Sequence, residues 1–286
     1  MGGKKTVVIS CFGENTELYH KRILVLFKTL KHFGGKMAEQ KCMVYFNQSV
    51  DPSIEKELKD LGVDVRISQP FDVRSPCSNK VRMLEIDNQL KFDVLLLLDC
   101  DIAVARDFTK QIKGDRIQAA PVYVDFLSRK QWKLVFSTFD IPFPKKKMET
   151  FLGNKTVPYF NSGVIAIPRQ YVEPLRKLWK KYILLLLDHY EGELLKLAEQ
   201  SYFTDQIALT LALQDGKFPF SPFPLKMNFQ TNQKVHEKFS PDSIRPYIIH
   251  YHKRFMNNRL RKIGYKKTDA LIRKINKFIG KGYMNK

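Results

Sequence analysis

The chain has 286 residues, 44% of them hydrophobic and 27% charged, enough apolar material for one large or two small domains and too much for a disordered chain. Its formal net charge of +20 implies an anionic partner, whether a membrane surface, a nucleic acid or an acidic ligand. No apolar run approaches the roughly 20 residues that a membrane-spanning helix needs. The opening MGGKKTVVIS lacks a signal-peptide core, and Lys4 and Lys5 argue against a lipidation reading of Gly2. Cys11, Cys42, Cys77 and Cys100 form no CxxC pair, and three lie in or beside apolar runs. They read as reduced core thiols, so a cytoplasmic location is expected.

In chain order, Thr6–Phe12 reads as a buried strand and Thr16–Phe33 as a helix stopped by Gly34-Gly35. Lys41–Asn47 is a second strand, Pro52–Leu61 a short helix and Val63–Ser68 a third strand. Ser78 or Asn79 is expected to cap a helix running to about Leu90. Phe92–Leu98 is a leucine-rich strand. Ile117–Val124 and Val157–Ile167 read as strands, with a flexible lysine-rich excursion expected over Lys130–Lys147. Val172–Gln200 reads as one or two helices and Phe203–Gln214 as another. The three prolines of KFPFSPFPLKMNF require an extended segment, and Pro246–His252 is a late strand. Strands alternating with helices, without tight hairpins, predict an α/β fold: a mostly parallel sheet with helices on both faces. In such sheets ligands bind beyond the carboxyl ends of the strands.

The leucine strand ends in Asp99-Cys100-Asp101, at such an end. In an extended segment residues i and i+2 point the same way, so both carboxylates can face one point. A divalent cation there would remove their repulsion, since hard cations prefer oxygen ligands. The alternative is two solvated residues in a loop. His250 and His252 repeat the i, i+2 spacing near the end of PYIIHYH, and Lys253 and Arg254 follow, suited to phosphate oxygens. The competing reading is one buried and one surface histidine.

Taken together, Asn79-Lys80-Val-Arg-Met-Leu, FDVLLLLDCDIAV, YFNSGVIAI, FTDQIAL, LKMNF and YIIHYH resemble the nucleotide-sugar glycosyltransferases of the GT-A fold, most of all the retaining glycogenin- and galactosyltransferase-like group (family 8-like). The resemblance covers most of the first 255 residues. It implies a GT-A catalytic domain over 1–252, with a nucleotide-binding half (1–105) and an acceptor or catalytic half (106–252), and a basic helical extension over 253–286. It implies transfer of a hexose from a nucleotide sugar, with UDP the expected carrier, to a glycan or lipid-linked acceptor, with retention. Asp99, Asp101 and His250 would hold Mn²⁺, or Mg²⁺, against the donor diphosphate, with Cys100 between the two aspartates in the donor-contacting segment. Cys11, Phe12, Gly13 and Asn15 would contact the nucleoside, partly through backbone. Lys80 would lie near the donor's sugar or ribose. Asn161 would touch the transferred sugar, and Asp205 and Gln206 would line its reacting face. Many relatives follow the metal histidine with a glycine and a later Lys-Pro-Trp; here neither is present, and phosphate neutralisation is expected from Lys253 and Arg254.

The segment Lys253–Lys286 carries twelve Lys or Arg against Asp269 alone, a charge of +11. Within it DALIRKINKFI has helical apolar spacing, as suits an amphipathic helix on an anionic bilayer, on the inner face of a membrane, or equally a helix packed on its own domain. A nucleotidyltransferase would usually show a Gly-rich basic loop after the first strand, which CFGEN is not. A non-enzymatic nucleic-acid-binding protein would account for the charge but leaves the two aspartates unexplained.

Overall fold

In a computed structural model of the chain, residues 5–231 and 243–283 are described; Gly2 and the final residues 284–286 of the basic extension lie outside them. The strands are β1 (Val7–Gly13), β2 (Lys41–Asn47), β3 (Val63–Ser68), β4 (Val94–Leu98), β5 (Ile102–Val104), β6 (Ile117–Pro121), β7 (Met148–Glu149), β8 (Lys155–Thr156), β9 (Phe160–Pro168), β10 (Phe220–Pro222), β11 (Phe229–Gln230), β12 (Ile248–His250), β13 (Phe255–Met256) and β14 (Arg259–Leu260). The helices are α1 (Glu17–Phe33), α2 (Pro52–Asp60), α3 (Arg129–Thr138), α4 (Arg169–His189), α5 (Thr204–Asp215) and α6 (Lys266–Tyr283).

Among the described residues, seven strands form one sheet in the order β10-β6-β9-β4-β1-β2-β3. Every pairing is parallel except those of β9, which runs antiparallel to both β4 and β6. The unbroken leucines of β4 follow from this central position. Leu95 and Leu97 enter the core shared with α4 and α5, while Leu96 and Leu98 enter the core shared with α1 and α2. Successive side chains alternate between faces, so a strand covered on both sides has no place for polar residues. The α5 helix is buried from Thr204 to Leu213, between α4 and β9, which accounts for its lack of a polar face.

A second, smaller sheet positions the site. Its order is β11-β12-β5, with β12 antiparallel to β5 and His250 opposite Ile102. The chain therefore leaves β4, passes through Asp99 and Asp101 in a tight turn, and at once meets the strand that carries His250. Behind this sheet, α6 buries Leu271, Ile272, Ile275 and Ile279 against Val25, Ala103, Ile249 and Tyr251. Each such side chain contributes about 1.5–3 kcal/mol when fully removed from water. The apolar face expected to lie on a bilayer is thus occupied by the protein's own core, and the helix presents only its basic side, with Arg273, Lys274 and Lys277 exposed.

Two other expectations are corrected. The segment after β3 forms a 3-10 helix over Pro76–Leu84, not an α-helix to Leu90. Its start is Ser75-Pro76; Ser78 Oγ donates back to the Ser75 carbonyl, and Asn79 Oδ1 is taken by the Phe71 amide at 2.7 Å, so neither caps a helix. The lysine-rich excursion contains α3, opened by a capping box between Ser128 and Gln131. Trp132, Val135 and Phe136 are buried beneath its lysines.

Candidate active site

A cavity of about 620 Å³ opens beyond the carboxyl end of β4. It gathers Lys80, Asp99, Asp101, Asn161, Asp205, Gln206, His250 and Lys253 of the expected set, together with Arg254 and His252. It does not gather the first turn or Cys100. Cys11 and Cys100 are buried in the core beneath the sheet, and Phe12 in the core on the opposite face, so their side chains are closed to a ligand in that cavity. A Cβ at Gly13 would lie 2.2 Å from Ile23 Cδ1, so the glycine serves close packing of α1 on β1. Asn15 is engaged with Ser49 Oγ and His20 Nε2, both at 2.8 Å.

One half of the site is tied together by a single lysine set between two carboxylates. Lys80 Nζ donates to Ser162 Oγ at 2.8 Å, lies 2.9 Å from Asp99 Oδ1 and 3.3 Å from Asp205 Oδ2. Ser162 in turn donates to Asp205 Oδ2 at 2.5 Å. Burial works against the Lys80 charge, yet Asp99 and Asp205 hold its pKa well above the ordinary value. Burial raises the Asp99 pKa, against the opposing pull of Lys80 and His250. The indole of Trp179 donates to the Asp205 carbonyl at 2.7 Å and so fixes the first turn of α5, where an acid is favoured by the helix dipole. A bulge brings these residues to the cavity. Between Ala119 and Ala120 of β6 the partner on β9 jumps from Ile165 to Asn161, which leaves Ser162, Gly163 and Val164 without a partner on β6.

The other half is built around a histidine facing an aspartate. Asn161 Oδ1 accepts from the Gly163 amide at 3.0 Å and from Asn228 Nδ2 at 2.7 Å. That turns Asn228 Oδ1 toward His250 Nδ1, 2.9 Å away, and commits the Nδ1 hydrogen to it. Nε2 faces Asp101 Oδ1 at 2.9 Å. A proton or a cation must lie between them at that distance, and an outer amide that fixes the ring in this way is the arrangement of metal-bound histidines. A Cβ at Gly163 would sit 2.6 Å from His250 Cε1, so the ring occupies space that only glycine leaves open. Asp99 Oδ2 stands farther off, 3.8 Å from His250 Nε2, with Lys80 on its other side. His252 Nδ1 lies 3.7 Å from Asp101 Oδ2. Burial opposes the Asp101 charge, but His250, His252 and Arg22 hold its pKa well below the usual carboxylate range. Burial and the neighbouring His250 push His252 down to about 3, leaving it neutral. The donor set fits a divalent cation: one carboxylate and two imidazoles converge, with a second carboxylate beside them.

Arg22 was not legible as a site residue. It projects from α1 into the cavity, its Nη2 donating to the His252 carbonyl at 3.2 Å. No signal in the sequence links positions 22 and 252. Ser162, Gly163 and Asn228 lay inside FNSG and LKMNF, and their roles emerge only from the contacts above. Among the described residues, the Lys253 and Arg254 side chains have no carboxylate partner, so the cavity keeps two uncommitted cations beside its carboxylates.

Solved structures share this architecture. WbbM, a bifunctional glycosyltransferase, superposes with a TM-score of 0.59 at 14% identity, over 96% of this chain and 52% of its own. LgtC, as an active-site mutant, gives 0.56 at 14% over 93% of this chain and 95% of its own. The glycosyltransferase GlyE of Streptococcus pneumoniae TIGR4 gives 0.54 at 16% over 99% and 64%. This chain thus spans about half of WbbM and under two thirds of GlyE. At such identities the likeness shows the fold, GT-A. No curated protein matches the chain by sequence. The model of the Rhodobacterales glycosyltransferase domain matches residues 9–216, and the chain belongs to that glycosyltransferase family.

Proposed function

We propose that the chain transfers a hexose from a UDP-sugar to a glycan or lipid-linked acceptor, with retention and with Mn²⁺ as cofactor. The observation that carries this reading is the convergence of Asp101, His250 and His252, with His250 Nε2 2.9 Å from Asp101 Oδ1, in a cavity that also holds Lys80, Lys253 and Arg254. Asp101 and His250, with Asp99 adjoining, would hold the ion; when bound it would supply Lewis-acid stabilisation of a departing diphosphate. The chain's own residues supply the rest. Lys253 and Arg254 offer charge to phosphate oxygens as negative charge develops on the leaving group. Lys80, fixed between Asp99 and Asp205, carries a positive charge to the boundary between diphosphate and sugar. Asp205 and Gln206, on the immobile first turn of α5, present oxygens to a cationic sugar centre, and Asn161 orients a hydroxyl. Val122 and Phe203 line the same cavity and limit water at the reacting carbon.

The exposed cations of α6 support a location beside an anionic membrane surface on the cytoplasmic side, by charge alone, since the apolar face of the helix is buried. The test of the whole reading is a panel of nucleotide sugars, with Mn²⁺ or chelator, followed by thermal shift and by release of nucleoside diphosphate. One donor should stabilise the protein and be turned over only with metal. Absence of both responses across the panel would refute it.

A further inference from the structure

His252 lines the cavity beside Asp101 and His250. Among the described residues, the set of metal-ligating side chains with one atom each within 4.8 Å of one another is Asp101, His250 and His252, and it does not include Asp99. The two carboxylate oxygens of Asp101 are divided between the imidazoles, Oδ1 facing His250 Nε2 at 2.9 Å and Oδ2 facing His252 Nδ1 at 3.7 Å. The rings stack with centroids 3.9 Å apart and planes 30° from parallel, so both nitrogens reach the same carboxylate from one side.

This arrangement is held at a cost. His252 has φ of +48°, in the left-handed region that glycine adopts more readily than a residue with a side chain. The backbone is pinned on both sides, by Arg22 Nη2 on the His252 carbonyl at 3.2 Å and by the Tyr251 amide on the Asp101 carbonyl at 3.0 Å. Strain retained in a ligand-sized cavity, in a residue whose nitrogen faces a shared carboxylate, indicates a working side chain.

We infer that His252 is a metal ligand alongside Asp101 and His250, so that this chain binds a divalent transition ion through two imidazoles and one carboxylate before any nucleotide sugar arrives. The inference rests on the metal-dependent reading above but concerns the free protein. Two nitrogen ligands favour Co²⁺, Zn²⁺ and Mn²⁺ over Mg²⁺, which prefers oxygen and gives up its waters reluctantly. Arg22 is then a positioning residue, acting through the His252 backbone.

The test is Co²⁺ binding to the full chain without nucleotide, followed by the cobalt absorption spectrum and calorimetry, with Mg²⁺ for comparison. Wild type should bind Co²⁺ at least about tenfold more tightly than Mg²⁺. His252→Gly removes the nitrogen while relieving the backbone, so metal-free thermal stability should hold or rise while Co²⁺ affinity falls by at least about tenfold, no less than the loss of an outer-shell partner costs. His252→Phe keeps a stacked ring without the ligand and should lose affinity equally. If either folded variant binds Co²⁺ as wild type does, with an unchanged spectrum, His252 is only a packing residue and the inference fails, whatever the turnover. If wild type shows the spectrum and its loss in both variants yet turns over no nucleotide sugar, the proposed function fails and the metal site stands.

Discussion

The two aspartates that end β4 are one residue apart in sequence and opposite in electrostatic situation. Asp99 is answered from within the protein: Lys80 bonds it, and the same ammonium and Ser162 serve Asp205. Asp101 is answered by two stacked imidazoles, one facing each carboxylate oxygen. The first arrangement is paired within the protein; the second gathers a carboxylate and two ring nitrogens, a set that a cation can join. One half of the cavity is therefore preorganised and the other is made to be completed by a ligand.

The sharpest way to break that comparison is to remove Asp101. Asp101→Ala should lower sugar-nucleotide turnover by at least about 10²–10³-fold, the scale of losing one electrostatic stabiliser, and more if metal binding is abolished. Its metal-free circular dichroism should match wild type; full activity in chelator-treated buffer would overturn the contrast. On the other side, Lys80→Met should act on the fold itself, leaving Asp99 and Asp205 buried without compensation at about 3–5 kcal/mol, read as a lower denaturation midpoint. Lys80→Met combined with Asp99→Asn should recover part of that loss.

The support of the metal half can be tested from behind. Ile275→Ala opens the core between α6 and the small sheet and should cost about 2–4 kcal/mol, with metal affinity falling in step because β12 and the turn after it carry both histidines. The smallest effect tests the anchoring of the Lys80 segment. Glu85 joins that segment to α4 through Arg82 at 2.8 Å and Lys180 at 2.7 Å. Burial opposes its charge, but Lys180 and Arg82 hold its pKa below the ordinary carboxylate value. A depressed carboxylate stabilises the fold above its unfolded pKa and loses that contribution as pH falls through the folded value. Glu85→Gln should therefore cost about 0.5–1 kcal/mol near neutral pH, reduced by solvent screening, and nothing once pH has fallen through the depressed folded value. Thermal melts across that range would show whether the gap closes.

Much of this contrast was readable beforehand. The bounds of β2 and β3 follow from apolar composition, and β4 with its aspartates from the switch between buried run and charge. Asp205 and His250 were marked by FTDQ and by YIIHYH. What could not be read depends on contacts between distant positions. Arg22 reaches His252 across 230 residues, and the Asn161–Asn228–His250 relay that sets the imidazole tautomer joins three separate segments. Cys11, Phe12 and Cys100 come from the resemblance, which names segments and not side-chain directions; the burial of each side chain is decided by which face of the sheet it enters. In Lys130–Lys147 the lysines masked the helical spacing of Trp132, Val135 and Phe136, and the Ser128–Gln131 box lay just outside or at the start of that window. The tail showed its amphipathic period clearly, but periodicity names a face without naming what covers it.

That covering has a bearing on synthesis. The turn with Asp101 emerges early, the strand with His250 some 150 residues later, and the hydrophobic backing of both, from Leu271 to Ile279, later still. The small sheet that carries His250 gains its apolar backing only when this stretch has left the ribosome and docked, long after the strands of the central sheet have emerged. Contacts of such sequence separation form late and slowly. A polypeptide released short of Leu271 would leave Ala103, Ile249 and Tyr251, the neighbours of Asp101 and His250, without their cover.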